Sequence, residues 1–308
     1  MSDTVARVTP AQRWTLLRGE IVVRARQADP RRDVEAAVFV HGLGGSTLNW
    51  VSLVAELDDN LDWVSVDLPG FGGSPPPRDG DYSPRGHARA VIGVIEEVQR
   101  RRGLSRPIHL VGNSLGGAVA LQVTAARPDL VAGLTLVSPA LPNLTLGRGN
   151  AHLPVVALPG VGESLVGRYA RVPAAQRVAA TLEACTVDDQ RVPDDIRQAL
   201  IQETESRDLL PYAHDAFLSS LRGLLATYAD RGSRRPWRLA RQVRQPVLAI
   251  YGEDDVLVDA RGAARAAREF PDAEVVLLDD CGHVAQMEHP DVVADLWLDR
   301  FARVTSAI

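Results

Sequence analysis

The sequence has only two cysteines, Cys185 and Cys281, and no lysine. Two thiols cannot build a disulfide framework, and neither stands in the C-x-x-C spacing of a metal or redox pair. All 34 basic residues are therefore arginines, set against 39 acidic residues for a net charge of -5. That balance argues against a nucleic-acid binder, which needs a basic face to neutralise phosphates. No apolar run reaches the roughly eighteen residues of a transmembrane helix. Residues 1–14 are polar with scattered arginines and lack the apolar stretch of a signal peptide, so the expected location is the cytoplasm. Internal repeats and low-complexity linkers are missing as well. Aromatic residues are sparse at 5%, yet hydrophobic residues make up 45% of the 308, an ordinary globular share. A chain of this length buries roughly three quarters of its unfolded surface without staples, as one large domain or two.

What is present is an alternation. Trp14–Gln27, broken at Arg18 and Gly19, reads as an opening hairpin. Ala36–Val40, Trp63–Val66, Ile108–Val111 and Gly133–Val137 are short runs of Val, Leu and Ile, apolar on both faces as buried parallel strands are. Between them, Pro84–Arg102 carries Ala88, Val91, Ile92, Ile95 and Val98 at helical spacing, with proline suited to the first turn. Leu115–Ala126 is a second helix, stopped before Pro128. Two further strands, Pro246–Tyr251 and Glu274–Leu278, each precede a helix, Ala260–Phe270 and Asp291–Val304. The fold expected is α/β, a mostly parallel doubly wound sheet. Between Leu141 and Val243 no strand is evident, and the stretch is too long for a structureless loop. It holds proline-opened helices at Pro173–Ala184, Pro193–Arg207 and Pro211–Tyr228. The last has Phe217, Leu221, Leu224, Leu225 and Tyr228 on one face. We read residues 142–243 as a helical cap inserted after the sixth strand, and 1–141 with 244–308 as the core. The apolar stretch Leu153–Val161 fits a pocket wall, but core packing is the better expectation.

The sharpest chemical signal is Gly112-Asn113-Ser114-Leu115-Gly116, Gly-x-Ser-x-Gly where a strand runs into a helix. A nucleophile on so tight a turn needs small neighbours two residues to either side. A serine hydroxyl is a weak nucleophile that needs a base, and the base needs an orienting acid. His283 follows the last strand, and the acids Glu253, Asp254 and Asp255 follow the strand before it. Parallel strands bring these loops to the same carboxyl edge as Ser114. Spacing alone leaves the choice among the three acids open, since an acidic run is also an ordinary solvated turn. An oxyanion hole is also required. His41-Gly42-Leu43-Gly44-Gly45 follows its strand at the right place, so the backbone N–H groups of Leu43 and Leu115 are the expected donors. His41 suits a structural role holding that loop, and His289 before Pro290 suits a helix entry. The glycines at 42–45 match neither a P-loop nor a dinucleotide fingerprint. The turn Asp67–Ser74 has no chemistry assigned. Arg168 and Arg171 of the cap are candidates for a substrate carboxylate, with nothing to select one.

These residues resemble the α/β-hydrolase superfamily, serine-nucleophile branch. HGLGGS at 41–46, DLPGFGGS at 67–74, GNSLGG at 112–117, YGEDD at 251–255 and CGHVAQMEHP at 281–290 are similar to its landmarks in order. The resemblance implies Asp255 as the acid, the Leu43 N–H as an oxyanion donor and a cap over the site. Serine at 114 departs from the epoxide-hydrolase and dehalogenase branches, which use aspartate there. GNS and CGHxAQxEH are also similar to meta-cleavage C–C bond hydrolases, although the oxyanion loop and Val284 differ from theirs. The function expected first is hydrolysis of a carboxylic ester through Ser114, His283 and Asp255, and C–C hydrolysis second. A catalytically weak ligand-binding receptor on the same fold and an acyltransferase are further alternatives. The expected partner is a small-molecule acyl substrate, with no metal or organic cofactor, no nucleic acid and no transmembrane segment, on a monomer or homodimer.

Overall fold

A computed structural model describes residues 11–16, 19–26, 34–143 and 152–301. The expectations for the N-terminal ten residues, for Arg18 and Gln27 of the hairpin, for 144–151 of the cap and for the chain after Phe301 lie outside the described residues. Eight strands form one sheet: β1 (Gln12–Leu16), β2 (Gly19–Ala25), β3 (Glu35–Val40), β4 (Leu61–Asp67), β5 (Ile108–Asn113), β6 (Val131–Val137), β7 (Val247–Gly252) and β8 (Ala273–Leu278). Their spatial order is β1-β2-β4-β3-β5-β6-β7-β8. β1–β2 and β2–β4 are antiparallel, and the remaining pairs are parallel. The fold is α/β with a mostly parallel sheet, as expected.

The strand chemistry follows from two covered faces. In β3, Ala36, Val38 and Val40 point into one core layer with Val91, Ile95 and Leu121. Ala37 and Phe39 point into the other with Trp50, Trp63 and Trp297. A strand apolar at every position is what such a double burial requires. Helix α2 (Pro84–Arg102) starts where the Ser83 hydroxyl accepts the Gly86 N–H at 3.1 Å, with Pro84 in the first turn. It stops at Gly103, whose φ of 64° suits glycine. Its buried stripe of Val91, Val94, Ile95 and Val98 contributes on the order of 1.5–3 kcal/mol per side chain.

Helix α1 (Val51–Leu57) is not anticipated by periodicity, because five of its seven residues are buried and the polar face is reduced to Ala55 and Glu56. Helix α3 (Leu115–Ala126) begins directly after β5. Between β6 and β7 lie α4 (Leu153–Val156), α5 (Val161–Tyr169), α6 (Ala174–Cys185), α7 (Asp194–Asp208), α8 (Ala213–Ala229) and α9 (Pro236–Ala240). α6, α7 and α8 are the three expected helices, each shifted to begin after its proline. The Leu153–Val161 stretch departs from the core packing expected of it: Val155 is 50% exposed and Leu158 52%. A helix of four residues, with Pro159 soon after its end, has too little length to bury both its sides. After β7 come α10 (Gly262–Glu269), α11 (Ala285–Glu288) and α12 (Pro290–Phe301). Among the described residues no helix is long and apolar enough to cross a membrane.

β3 pairs with β4 on one side and β5 on the other, so the chain leaves β3 in one direction and returns in the opposite one. That switch opens a crevice at the carboxyl ends of β3 and β5. Further along the same edge, beyond β6, Gly252 ends β7 so tightly against the loop after β8 that a Cβ would overlap the carbonyl oxygens of Cys281 and Gly282. Gly252→Ala is therefore expected to destabilise the fold by about 1–3 kcal/mol. Calorimetry would read this as a lowered Tm, and an unchanged Tm would mean the two loops are not packed backbone to backbone.

Candidate active site

Ser114 stands between β5 and α3 at φ 53° and ψ −117°, a conformation that costs a non-glycine residue on the order of 1–3 kcal/mol. The glycines around it have a steric cause. A Cβ on Gly112 would overlap the Gly116 carbonyl, and one on Gly116 would overlap the carbonyls of Val40 and His41. The turn is held by Ser114 N–H donating to Val137 O at 3.0 Å, and by Ser114 O accepting from Gly117 and Ala140. Asn113 is a support that sequence reasoning missed. Buried, it donates from Nδ2 to Val137 O and to His283 O, both at 3.1 Å, and so ties the turn to the loop after β8. A polar residue inside an otherwise apolar strand end was the available signal.

His283 and Asp255 arrive on the loops after β8 and β7. His283 Nδ1 lies 2.8 Å from Asp255 Oδ2, and both residues are buried. The other oxygen, Oδ1, accepts the N–H groups of Leu257 and Val258 at 2.8 and 2.9 Å. Burial pushes the Asp255 carboxyl up, but the His283 ring and these two N–H groups outweigh it and hold the group below the usual carboxylate range. Glu253 and Asp254 are exposed, and of the three acids Asp255 is the one bonded to His283. Ser114 and His283 line one cavity. The Ser114 hydroxyl and His283 Nε2 have no hydrogen-bond partner among the described residues. His152 and His214 also border the cavity, with no acid partner among the described residues.

The loop after β3 passes against Ser114, with a built Gly42 Cβ only 3.1 Å from the Ser114 Cβ. Gly45 N–H closes a turn onto Gly42 O at 3.1 Å, and Gly44 takes the third position at φ 78°. The N–H groups of Leu43 and Leu115 donate to no described acceptor. For Leu115 this is the normal state of a first helical residue. His41 is fully buried and holds the loop: its Nδ1 faces Gly42 O at 2.7 Å, and its Nε2 accepts the Leu68 N–H at 3.0 Å. The Asp67–Ser74 turn folds around the Asp67 carboxylate, which accepts from Thr47 and Gly73. Glu288, a second support missed by sequence reasoning, is buried and accepts from Val187, Asp188 and Gly282.

The cavity measures about 900 Å³ and is mostly apolar. Phe217, Leu221, Leu224, Leu225 and Tyr228, the one-faced stripe of α8, form one wall, and Leu153, Pro154 and Val155 form another. Arg168 and Arg171 do not line it, whereas Arg177 and Arg207 do. Among the described residues, Cys281, Glu288 and His289 bring potential metal-ligand atoms within 4.8 Å of one another, but none of the three lines the cavity; the groups that face it suit acid–base and nucleophilic chemistry.

A sequence model of the alpha/beta hydrolase fold matches residues 37–290. The chain is 29% identical over 271 residues to a monoacylglycerol lipase, ABHD6, of Bos taurus, covering 87% of this chain and 76% of that protein. It is 26% identical over 280 residues to a 2-hydroxy-6-oxononadienedioate/2-hydroxy-6-oxononatrienedioate hydrolase of Cupriavidus pinatubonensis, covering 89% of each. Among solved structures, the 2-hydroxy-6-oxo-6-phenylhexa-2,4-dienoate hydrolase of Rhodococcus sp. strain RHA1 superposes with a TM-score of 0.73 at 21% identity, over 96% of this chain and 99% of that one.

Burial lowers the His41 imidazole to about 4 and that of His87, which bonds Ser220 Oγ at 3.0 Å, to about 3. Unfolded, both would titrate near the ordinary value of about 6.5. Between those limits the unfolded chain binds more protons, so stability is full above about pH 6.5 and falls as pH drops toward 4. The variant His87→Gln should show a shallower fall in Tm over that window than the parent protein. Parallel curves would contradict this.

Proposed function

The chain belongs to the alpha/beta hydrolase fold family and is a hydrolase, and from that premise we propose that it cleaves a carboxylic ester through Ser114, His283 and Asp255. The observation that carries the proposal is the 2.8 Å His283–Asp255 contact in the wall of the same apolar cavity that Ser114 borders from a strained turn. His283 takes the Ser114 proton as the hydroxyl attacks the ester carbonyl. The developing oxyanion is held by the Leu43 and Leu115 N–H groups, whose lack of other partners among the described residues supports this role. His283 then protonates the leaving alcohol, and in the second half activates a water that frees the acid from Ser114. Asp255 keeps the imidazole proton on Nδ1 and stabilises the imidazolium. The chemistry calls for no metal or organic cofactor.

We assign residues 142–243 to a cap over a core of 1–141 and 244–308, since the helices between β6 and β7 supply most of the cavity wall. An apolar space of about 900 Å³ suits an acyl chain of substantial length, in keeping with the lipase relatives. The resemblance to dienedioate hydrolases favours C–C hydrolysis as a second reading, in which the same serine attacks a ketone.

A panel of p-nitrophenyl esters is expected to be hydrolysed, with longer acyl chains preferred over acetate. Ser114→Ala should lower kcat by about 10³-fold or more while the fold stays intact. Retained esterase activity in that variant would refute the assignment of Ser114. Turnover of a vinylogous 1,5-diketone in the absence of any ester turnover would establish the second reading instead.

A further inference from the structure

Helix α7 of the insertion reaches the loop after β3 at two points one helical turn apart. Arg207 Nη1 donates to the Gly44 carbonyl at 2.6 Å. Glu203 Oε2 accepts the Ser46 hydroxyl at 2.5 Å. The same hydroxyl accepts the Leu48 N–H at 3.1 Å, while Asn49 Oδ1 takes the Ser46 N–H at 2.7 Å. Ser46 is thus fixed from below by the helical turn it caps and from above by α7. The first anchor falls on Gly44, the third residue of the turn closed by Gly45 N–H on Gly42 O with Leu43 at its second position, and the second falls on Ser46, one residue beyond that turn. Glu203 and Arg207 both border the cavity, and the mechanism of ester cleavage uses neither.

We propose that Glu203 and Arg207 are positioning residues for the oxyanion hole, bracing residues 42–46 from the insertion so that the Leu43 N–H stays aimed at the carbonyl that Ser114 attacks. The proposal rests on the reading of Leu43 as an oxyanion donor. Its physical basis is that a turn of four residues with three glycines has little stiffness of its own. A donor contributes to catalysis only if it is oriented before the charge develops. The i, i+4 spacing on α7 places the two side chains on one face, so a single rigid element sets both anchors. Burial, reinforced by the Asp67 carboxylate, pushes the Glu203 carboxyl up to about 7, against the pull of Ser46, Arg207 and Arg24. Protonated or not, it has an oxygen free to accept from Ser46, so the anchor persists across neutral pH. A consequence is that the insertion does more than wall the pocket: movement of α7 away from the sheet would loosen the hole.

The test compares Arg207→Met, Arg207→Lys, Glu203→Leu and Glu203→Gln on one p-nitrophenyl ester. Arg207→Met and Glu203→Leu should each lower kcat by about tenfold or more, a fraction of what losing a donor outright costs, with KM within about twofold. Arg207→Lys and Glu203→Gln, which keep a donor and an acceptor, should recover much of that loss. Amide hydrogen exchange across residues 42–46 should accelerate in the two disruptive variants and stay near the parent rate in the two conservative ones. A raised KM at unchanged kcat would make these residues substrate contacts and overturn the proposal, as would unchanged kinetics or unchanged exchange. If Arg207→Met does not fold, the Glu203→Leu and Glu203→Gln pair decides the question. Full activity in Ser114→Ala would defeat the ester reading, while the exchange measurement would still report on the brace.

Discussion

At Ser114 the backbone turns through a positive φ that only close contact with neighbouring backbone can hold. Gly112, Gly116 and Gly42 leave no room for a Cβ or nearly none, so β3, β5 and α3 meet there main chain to main chain. That proximity has two effects. It lifts the serine hydroxyl above the sheet edge, and it brings the first N–H of α3 alongside the loop after β3. Strain of a few kcal/mol at this point is offset by the buried strands on either side, which bury their apolar side chains on both faces of the sheet. Without that rigid base the hydroxyl would have no fixed position relative to anything else.

The loop bearing His283 is built on the same plan but is held by the insertion as well as the sheet. His283 N–H donates to Cys185 O at the end of α6 at 2.7 Å, and Asn113 reaches its carbonyl from the Ser114 side. Glu288 gathers Gly282 from this loop and Val187 and Asp188 from the insertion around one carboxylate. The end of β5, the loop after β8 and the segment between β6 and β7 are therefore cross-linked by buried and part-buried polar contacts, and such contacts are costly to break one partner at a time. On the reading proposed here, the insertion shapes the pocket and also keeps the reacting groups in register.

Much of this was legible in the sequence where local chemistry and tertiary context agree. The span of α2 was readable from Pro84 and the helical spacing of Ala88, Val91, Ile92, Ile95 and Val98, and the Ser83 and Gly103 caps seen in the structure agree with it. The strands were readable because burial on both faces leaves a continuous apolar run, although β4 and β6 proved two residues longer at their starts than the apolar runs. Helix α1 escaped notice because it is buried nearly all round and has no polar face to supply a period. Leu153–Val161 misled because apolar residues facing an open cavity have the composition of core residues. Gly-x-Ser-x-Gly, the acidic loop and His283 were visible as motifs, and the strand pattern pointed to the sheet edge where His283 meets Asp255 and Ser114 borders the same cavity as His283. The polar supports Asn113, Glu288, Glu203 and Arg207 were not, since each acts through a contact with a distant part of the chain.

Ester cleavage by this site requires that Ser114 Oγ is the atom that attacks and that the backbone at Leu43 and Leu115 receives the resulting negative charge. A crystal structure of the protein after reaction with an alkyl fluorophosphonate would answer both at once. The account predicts phosphorus bonded to Ser114 Oγ, with the phosphoryl oxygen about 3 Å from both the Leu43 and the Leu115 nitrogens. An adduct on another residue, or a phosphoryl oxygen turned away from both N–H groups, would contradict it.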